Sequence, residues 1–383
     1  MKIVYVSHWR FPSEKTMSPL IMKTCEMLSR GGADVELWIP RRWNHAFKGV
    51  SPFQYHAVKE VFRIRRLPCM DFMGIFSGTL PFIVMVASFN ISVFVMALFY
   101  TRRDTIFYLH DVRNAVPLVF FREGIFLEIH DFYKSSVDAL NRLVFTRVRG
   151  LIVTNKVKMD VLRSRYGIPE SGMIHAPNAV DIALFSPRLS KEEARNTLRI
   201  SHSEKIVLYT GHLFYWKGVD TLFETHPLLK DGEFLYFVGG TDDDIATFKD
   251  KAKGCPNVRI VGRRPHVEIP LWLQAADVLV LPNTARFEES KYETSPVKLF
   301  EYLASGKPIV ASDIPSIRDI VDDRMVWFFE ADNPSSLVKV VHTALHERKK
   351  SEEKGGVAHA EAQKFSWSRR TGRVLEFMRP FIE

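Results

Sequence analysis

The chain has 383 residues, of which 46% are hydrophobic and 25% charged, and this length predicts two domains at about 150 residues each. The composition excludes a disordered or collagen-like protein, and three widely spaced cysteines, Cys25, Cys69 and Cys255, predict neither a disulfide framework nor a zinc site. The net charge of +9 indicates an anionic partner, which can be nucleic acid, acidic lipid head groups or a phosphorylated substrate.

The first part of the chain predicts alternating strands and helices. A strand at Lys2–Val6 precedes a helix that opens at Ser18-Pro19, with serine as the N-cap, and that stops at Gly31-Gly32. Further strands are predicted at residues 35–39, 105–109, 125–129, 151–154 and 173–176, with helices over residues 135–148 and before Gly167.

Residues 72–101 contain no charged side chain, and their length and apolarity alone would predict a transmembrane helix. Basic residues flank both ends, with Arg63, Arg65 and Arg66 before the segment and Arg102 and Arg103 after it. The positive-inside bias would hold both ends on one side of a bilayer. We expect a buried or in-plane helix pair that dips into one leaflet; a fully buried core helix and a true span remain alternatives.

The character of the sequence changes at Pro177. Residues 177–187 and the charged stretch 191–195 are interpreted as an interdomain linker. A second alternation follows, with strands predicted at residues 206–210, 234–239, 258–261, 278–281 and 308–311, and with helices between them. Two parallel-sheet α/β domains in series are therefore predicted.

Candidate ligand-binding residues follow the strands of the second domain, where open α/β sheets bind their ligands. Gly211 directly follows the strand at 206–210 and allows close backbone approach, and Lys217 can reach a phosphate. A solvated loop lysine is the alternative.

A pair of glutamates, Glu293 and Glu301, brackets a predicted helix start. Ser295 is expected to cap this helix and Pro296 to take its first position, so the N–H groups of Val297 and Lys298 would form a seat for a diphosphate. A sugar nucleotide bound across the stretch between the two glutamates would place its ribose on Glu301 and its sugar near Glu293.

Two further polar sites follow strands. His130 lies in the sequence Glu128-Ile129-His130-Asp131, where an imidazole can bind a sugar hydroxyl or a proton; a purely structural histidine is the alternative. The run Asp242–Asp244 is interpreted as a solvated turn or a helix N-terminal charge cluster rather than a metal site.

Together these segments resemble retaining glycosyltransferases of family 4, also called group 1, across nearly the whole chain. Residues 211–222 are similar to the family's glycine–Lys-Gly loop, and Glu293 to Glu301 followed by residues 302–310 is similar to its paired-glutamate signature. Residues 178–187 resemble its linker, and Phe365-Ser366-Trp367 resembles the start of its C-terminal helix.

The resemblance implies the GT-B architecture, with two Rossmann-like parallel-sheet domains facing across a cleft. We expect an acceptor-side domain at residues 1–184, with helix 367–383 crossing back to it, and a nucleotide-sugar domain at 190–366. It also implies a metal-independent enzyme without a cofactor, with catalytic roles for His130, Glu293 and Lys217. Donor binding is expected of Gly211, His212, Lys217, Arg263, Glu293, Val297, Lys298 and Glu301.

The chain departs from the family pattern in three places. His212 stands where arginine usually follows the loop glycine, which weakens the diphosphate clamp unless Arg263, Arg264 or Lys298 substitutes. Thr294-Ser295 replaces the usual Gly-aromatic pair. Residues 11–17 replace the glycine-rich first loop and are expected on the acceptor side.

These features favour a glycosyltransferase that acts at the inner face of a membrane, in cell-surface polysaccharide or glycolipid synthesis. Its expected partners are a UDP- or GDP-linked sugar, a glycan or lipid-linked acceptor and an anionic membrane surface. The expected mechanism is front-face substitution through an oxocarbenium-like state. A sugar-nucleotide epimerase and a non-catalytic basic membrane-surface protein remain alternatives. Nucleic acid is not expected, because the aromatic residues lie mainly in apolar runs.

Overall fold

The structure, a computed structural model, describes residues 1–13, 15, 17–76, 78–100, 105–120, 124–130 and 138–381. The chain forms two compact units, one made of Met1–Ala176 with Trp367–Glu383 and the other of Pro177–Ser366. Each unit is built on one parallel sheet, so the predicted α/β class is confirmed.

The sheet of the first unit has seven parallel strands in the order β3-β2-β1-β4-β5-β6-β7. The central strands are continuous apolar runs, as expected for a sheet covered on both faces. Strands β1 and β4 pair in register, with Val6 opposite Leu109. The strands are β1 (Lys2–Val6), β2 (Asp34–Pro40), β3 (Arg63–Leu67), β4 (Thr105–Leu109), β5 (Ile125–Ile129), β6 (Gly150–Val153) and β7 (Met173–His175).

In the described residues, six α-helices connect these strands. The first buries Ile21, Cys25 and Leu28, which recur at helical spacing on one face. The predicted start of the fifth helix at residue 135 lies outside the described residues, and its last helical residue is Phe145. The helices are α1 (Met17–Arg30), α2 (Pro52–Tyr55), α3 (Thr79–Leu98), α4 (Val112–Ala115), α5 (Asp138–Phe145) and α6 (Lys156–Tyr166).

The apolar segment is one helix, α3, and not the expected pair. Polar residues within it do not break the helix, because their side chains find acceptors: Ser88 donates to the carbonyl of Val84 and Ser92 to that of Pro68. Helix α3 is also not a fully buried core helix. Its 20 residues have a mean hydropathy of 2.2, which is enough to cross a bilayer by length and composition, but only 33% of the apolar window is buried. Arg102 and Arg103 lie outside the described residues.

The second unit has six parallel strands in the order β10-β9-β8-β11-β12-β13. The last strand was not predicted, because it has only three residues and two of them are partly exposed. Strand β3, at the edge of the first unit's sheet, was also missed, because four of its five residues are at least partly exposed and three of them are arginines. The strands are β8 (Lys205–Thr210), β9 (Glu233–Val238), β10 (Val258–Gly262), β11 (Val278–Leu281), β12 (Ile309–Ser312) and β13 (Trp327–Phe329).

Nine helices accompany this sheet in the described part of the unit. They are α7 (Ile182–Phe185), α8 (Lys191–Leu198), α9 (Val219–Phe223), α10 (Asp242–Lys251), α11 (Ile269–Ala275), α12 (Val297–Ser305), α13 (Pro315–Arg318), α14 (Pro334–His346) and α15 (Arg348–Ala362). The interpretation of 177–195 as a linker was therefore wrong in part. Helix α8 starts with a capping box between Ser190 and Glu193, so its charged residues form a helix rather than a loop. The acidic run at 242–244 is the first turn of α10.

The last helix, α16 (Trp367–Met378), belongs to the first unit and packs against α1. It buries Arg370 against the carboxylate of Glu128 on β5. Burial alone would raise the pKa of Glu128, but Arg370, together with His130 and Tyr108, holds this pKa well below its usual range. A buried ion pair thus anchors the end of the chain to the central sheet.

Replacing Arg370 with alanine should lower the free energy of unfolding by about 3–5 kcal/mol, because it leaves the carboxylate of Glu128 buried without its cation. Urea denaturation followed by tryptophan fluorescence measures this change. Arg373, an exposed arginine on the same helix, supplies the control, and Arg373→Ala should change stability by less than about 0.5 kcal/mol.

The pH dependence of the stability lost in Arg370→Ala shows whether charge or packing causes the loss. Because the pKa of Glu128 is lowered in the folded state, its contribution is complete above the unfolded pKa of a glutamate, about 4.3, and is lost as the pH falls below it. The difference in the free energy of unfolding between the wild type and Arg370→Ala should therefore become smaller at acidic pH. A gap that stayed constant through the acid range would show that packing, and not charge, is responsible.

Candidate active site

The loop that follows β8 has two glycines at positions where a side chain would be strained. Gly211 has φ +121°, and a Cβ there would lie 2.9 Å from Nζ of Lys298. Gly218 has φ +72°, and a Cβ there would lie 1.8 Å from the carbonyl oxygen of Pro282. Both backbone conformations favour glycine. The loop therefore lies close against the lysine on one side and the end of β11 on the other.

Aromatic side chains stiffen the loop between these glycines. The ring of His212 stacks on Phe214 with centroids 4.8 Å apart, and Phe214 stacks on Trp216 at 5.9 Å. The ammonium group of Lys217 lies 3.7 Å from the centre of the Trp216 ring. His212 thus packs within an aromatic stack, where the family pattern would place an arginine.

Helix α12 begins one residue later than predicted. Pro296 is its N-cap and Val297 its first helical residue, so the expected Ser295 cap was wrong. The Ser295 hydroxyl instead accepts a hydrogen bond from the backbone N–H of Asn178, at 3.3 Å. Proline has no side-chain acceptor, and the N–H groups of Val297 and Lys298 are the first of the helix, which have no intrahelical acceptor. The helix therefore starts with free donors, as a diphosphate seat requires.

The ammonium group of Lys298 is the unusual charge of this region. Its Nζ is buried, makes no hydrogen bond with the residues that the structure describes, and lies 3.7 Å from the centre of the Tyr209 ring. Burial lowers the pKa of Lys298 well below its usual range, and the charge of Lys217 lowers it further, while Glu301 opposes the shift. Two lysines that repel each other beside a helix N-terminus form a site that an anion would stabilise.

Glu301 lies inside α12 and is buried, with only 8% of its surface exposed. Its carboxylate is 2.8 Å from Nε2 of His266, which stands on the short 3₁₀ turn after β10. Sequence reasoning missed His266, although a histidine shortly after a strand was the signal that singled out His130. Arg263 is exposed on the same stretch after β10.

Glu293 ends a π-helical turn, Glu289–Glu293, that leads into the start of α12. The turn is held from behind, because the hydroxyl of Ser316 donates to the carbonyl of Ser290 at 2.8 Å. The side-chain amide of Asn178 also donates to the carbonyl of Ser295 at 2.7 Å. Glu293 is thus partly exposed on a firmly held turn eight residues before Glu301.

His130, the remaining predicted catalytic residue, belongs to the first unit at the end of β5. Its Nε2 lies 3.0 Å from the carboxylate of Glu128, and its carbonyl accepts a hydrogen bond from Lys158. The ring is therefore oriented by the same glutamate that binds Arg370. Asp131 lies outside the described residues.

Sequence comparison identifies the second unit. Residues 190–357 match the family described as glycosyl transferases group 1. These residues are a glycosyltransferase group 1 domain. The family expected from the 211–222 loop and the paired glutamates is therefore confirmed.

Curated relatives are distant. D-inositol 3-phosphate glycosyltransferase 1 of Catenulispora acidiphila is 24% identical over 250 residues, which cover 61% of the chain and 57% of that relative. Alpha-monoglucosyldiacylglycerol synthase of Streptococcus pneumoniae is 25% identical over 219 residues, covering 54% of the chain and 48% of that protein. The chain thus aligns with only part of the length of each.

Solved structures match over nearly the whole chain. Sucrose-phosphate synthase of Thermosynechococcus elongatus has a TM-score of 0.80 at 17% identity, covering 99% of the chain and 98% of that structure. The Anabaena protein HepE, solved with UDP-glucose, has a TM-score of 0.75 at 17% identity, and the match covers 99% of the chain and 100% of that structure. This similarity shows that the chain has the GT-B fold predicted from its sequence.

Replacing Lys298 with methionine should raise the free energy of unfolding of the ligand-free protein by about 1–3 kcal/mol, because it removes a buried cation without a partner. Chemical denaturation measures the gain. Lys205→Met, at an exposed position, should leave stability unchanged.

The gain has a defined pH dependence. A lysine whose pKa is lowered on folding destabilises the folded state fully below its folded pKa, and this cost disappears as the pH rises to the unfolded value of about 10.4. The advantage of the methionine variant should therefore shrink at alkaline pH. A variant less stable than wild type at neutral pH would show that the ammonium is already paired.

Proposed function

We propose that this protein is a retaining, metal-independent glycosyltransferase that moves a sugar from a UDP- or GDP-linked donor to a glycan or lipid-linked acceptor. The observation that carries the proposal is the buried Lys298 ammonium beside Gly211, at the start of α12 in a group 1 domain. This group has no hydrogen-bonding partner among the residues that the structure describes. Such a cation predicts an anionic group that occupies the site in the working enzyme.

The donor diphosphate would lie on the N–H groups at the start of α12, with Lys298 and Lys217 supplying its counter-charge. A helix N-terminus and charge-assisted hydrogen bonds favour this ligand together. Lys298 thereby takes the part of the arginine that His212 replaces. Two protein cations also supply charge that a metal ion would otherwise provide.

Glu301 would accept hydrogen bonds from the ribose hydroxyls. His266 occupies this carboxylate in the ligand-free protein at 2.8 Å, so donor binding exchanges one hydrogen-bonding partner for another. The ribose hydroxyls would take the place of His266, so Glu301 would keep a hydrogen-bonding partner when His266 moves away. Glu293, on its held turn, would bind the hydroxyls of the transferred sugar.

The chemical step would be a front-face substitution at the anomeric carbon. The bond from the anomeric carbon to the leaving diphosphate oxygen breaks as the acceptor hydroxyl approaches from the same side, and the hydroxyl passes its proton to that leaving oxygen. The lysines and the helix N–H groups stabilise the negative charge that develops on the diphosphate. His130, whose orientation Glu128 sets, would bind a sugar hydroxyl during the step. The configuration of the anomeric carbon is then retained.

A panel of UDP- and GDP-sugars tests the donor site. One nucleotide class should stabilise the protein against heat by about 2.7 kcal/mol at a ligand concentration one hundred times the Kd. Glu301→Ala should abolish this stabilisation, and Lys217→Ala and Glu293→Ala should reduce sugar transfer at least tenfold. NMR of the product should show the anomeric configuration of the donor.

The matched control is Glu289→Ala, on the first residue of the same π-helical turn, which should bind and transfer normally. Normal transfer by folded Lys217→Ala and Glu293→Ala proteins would overturn the site. Release of an epimerised nucleotide sugar without an acceptor would identify an epimerase instead.

We also propose that the protein works peripherally at the cytoplasmic face of a membrane. Helix α3 and the residues on either side of it include six apolar side chains that are each more than half exposed: Ile75, Phe76, Leu80, Ile91, Leu98 and Phe99. Arg63 and Arg66 are exposed on β3, which packs against α3. Apolar side chains next to arginines favour a surface of anionic lipids. Relatives such as alpha-monoglucosyldiacylglycerol synthase carry names that specify a lipid product.

Vesicle sedimentation tests this location. The protein should bind phosphatidylcholine vesicles that contain phosphatidylglycerol more tightly than phosphatidylcholine alone, and salt should weaken the binding. Leu98→Ser with Phe99→Ser should abolish it, and each of Arg63→Ser and Arg66→Ser should weaken it about fivefold. Val267→Ser, which changes an exposed apolar residue of the second unit, is the control. Failure to bind anionic vesicles at low salt would contradict the proposal.

A further inference from the structure

Two histidines outside the residues considered so far meet at the carboxyl ends of adjacent strands. His8 follows β1 and His110 directly follows β4, and these strands pair in register. Their rings stack with centroids 6.1 Å apart. This is the edge of a parallel sheet where ligands bind. Both side chains are buried within the first unit, with 3% and 9% of their surfaces exposed.

A chain of side-chain amides sets the tautomer of His8. The Asn90 amide nitrogen donates to the carbonyl of Arg113, so its oxygen accepts from Asn114, at 3.0 Å. The amide oxygen of Asn114 therefore faces Nδ1 of His8, at 2.8 Å, and Nδ1 must carry the proton. In the neutral ring Nε2 is then an acceptor. It makes no hydrogen bond with the described residues.

The ring of His110 has no polar partner. Neither nitrogen makes a hydrogen bond with the residues that the structure describes, and both are buried. The ring stacks between Tyr5, at 6.0 Å, and His8. One nitrogen of a neutral imidazole is a donor and the other an acceptor, and leaving such groups buried and unpaired destabilises the folded protein. Folded proteins rarely leave buried polar groups unpaired, so His110 points to a missing ligand.

The charge around the two rings favours a neutral ligand. Burial lowers the pKa of His8 and lowers that of His110 to about 3, so both rings are uncharged at neutral pH. Asp111 lies 3.7 Å from His8, but its two oxygens bind the guanidinium of Arg113. An anion would accept from a ring N–H but could not donate to the free Nε2 of His8. A hydroxyl group does both.

Apolar surface adjoins this polar group directly. The ring of Phe82, on α3, meets His8 edge-on at 5.6 Å. Asn90, which belongs to the amide chain, also lines an apolar pocket of about 230 Å³ with Ile91, Phe94, Val116 and Pro117. The exposed face of α3 thus runs from the histidines to a pocket lined mainly by apolar side chains.

We propose that His8 and His110 form a hydroxyl-binding site for the sugar head group of an amphipathic acceptor, whose alkyl chain lies along α3 at Ile91 and Phe94. A head-group hydroxyl donates to Nε2 of His8, and His110 pairs with a second hydroxyl once a side-chain rotation opens its ring nitrogens. The acceptor role rests on the proposed function, since only a transferase needs an acceptor.

Binding of n-octyl β-D-glucopyranoside, below its micelle concentration, tests the site without a donor. Saturation-transfer NMR should show that the wild-type protein binds this probe more tightly than methyl β-D-glucopyranoside, and that octyl phosphate binds at least tenfold more weakly. His8→Phe and His110→Phe should each weaken octyl glucoside binding about tenfold. Phe94→Ser should reduce the affinity for octyl glucoside to that of the methyl glycoside.

A structural role for these histidines predicts the opposite pattern. His110→Phe keeps the stack on Tyr5 and removes unpaired polar atoms, so we expect unchanged or higher stability together with lost binding. Histidine variants that lose stability but still bind octyl glucoside as the wild type does would overturn the proposal. It would also be overturned if the wild type did not bind octyl glucoside, or if it bound octyl phosphate equally well. Both variants should keep wild-type stabilisation by the nucleotide sugar. If no nucleotide sugar stabilises even the wild type while the glycoside still binds, the donor assignment alone fails.

Discussion

Parallel pairing of strands is the constraint on which both units depend. It brings the carboxyl ends of neighbouring strands to one edge of each sheet, so residues far apart in sequence meet there. In the second unit, the loop after β8, the turn after β10 and the start of α12 meet in this way, which brings together Gly211, His266, Lys298 and Glu301. In the first unit the same geometry joins His8 to His110, and Glu128 holds His130 at the end of β5.

The charges of the second unit are arranged for a ligand rather than for stability. Lys298 is buried near another lysine and has no hydrogen-bonding partner in the described part of the chain, whereas Glu301 already has a partner in His266. A diphosphate with an attached ribose would neutralise the first group and replace the partner of the second. An arrangement of charges that destabilises the ligand-free protein, and that ligand binding then stabilises, is typical of functional sites.

The first unit combines a strongly tied sheet with an unusually apolar surface. The buried ion pair between Glu128 and Arg370 anchors α16 to β5, and Glu128 also orients His130. Helix α3 buries one face on the sheet and leaves the other exposed. Because this helix also contacts His8 through Phe82, the exposed apolar face is continuous with the polar edge of the sheet.

Local sequence patterns determined the strands, the parallel-sheet class and the family, because apolar periodicity, glycines and the spacing of Glu293 and Glu301 are local properties. The short edge strands β3 and β13 carry too little of this signal, and the true start of α12 depends on the contact of Ser295 with Asn178, 117 residues away. Tertiary structure alone decided that Lys298 is buried without a hydrogen bond to the described residues, that His266 contacts Glu301 and that His8 meets His110. Burial and pairing depend on which distant residues become neighbours, which one sequence does not specify.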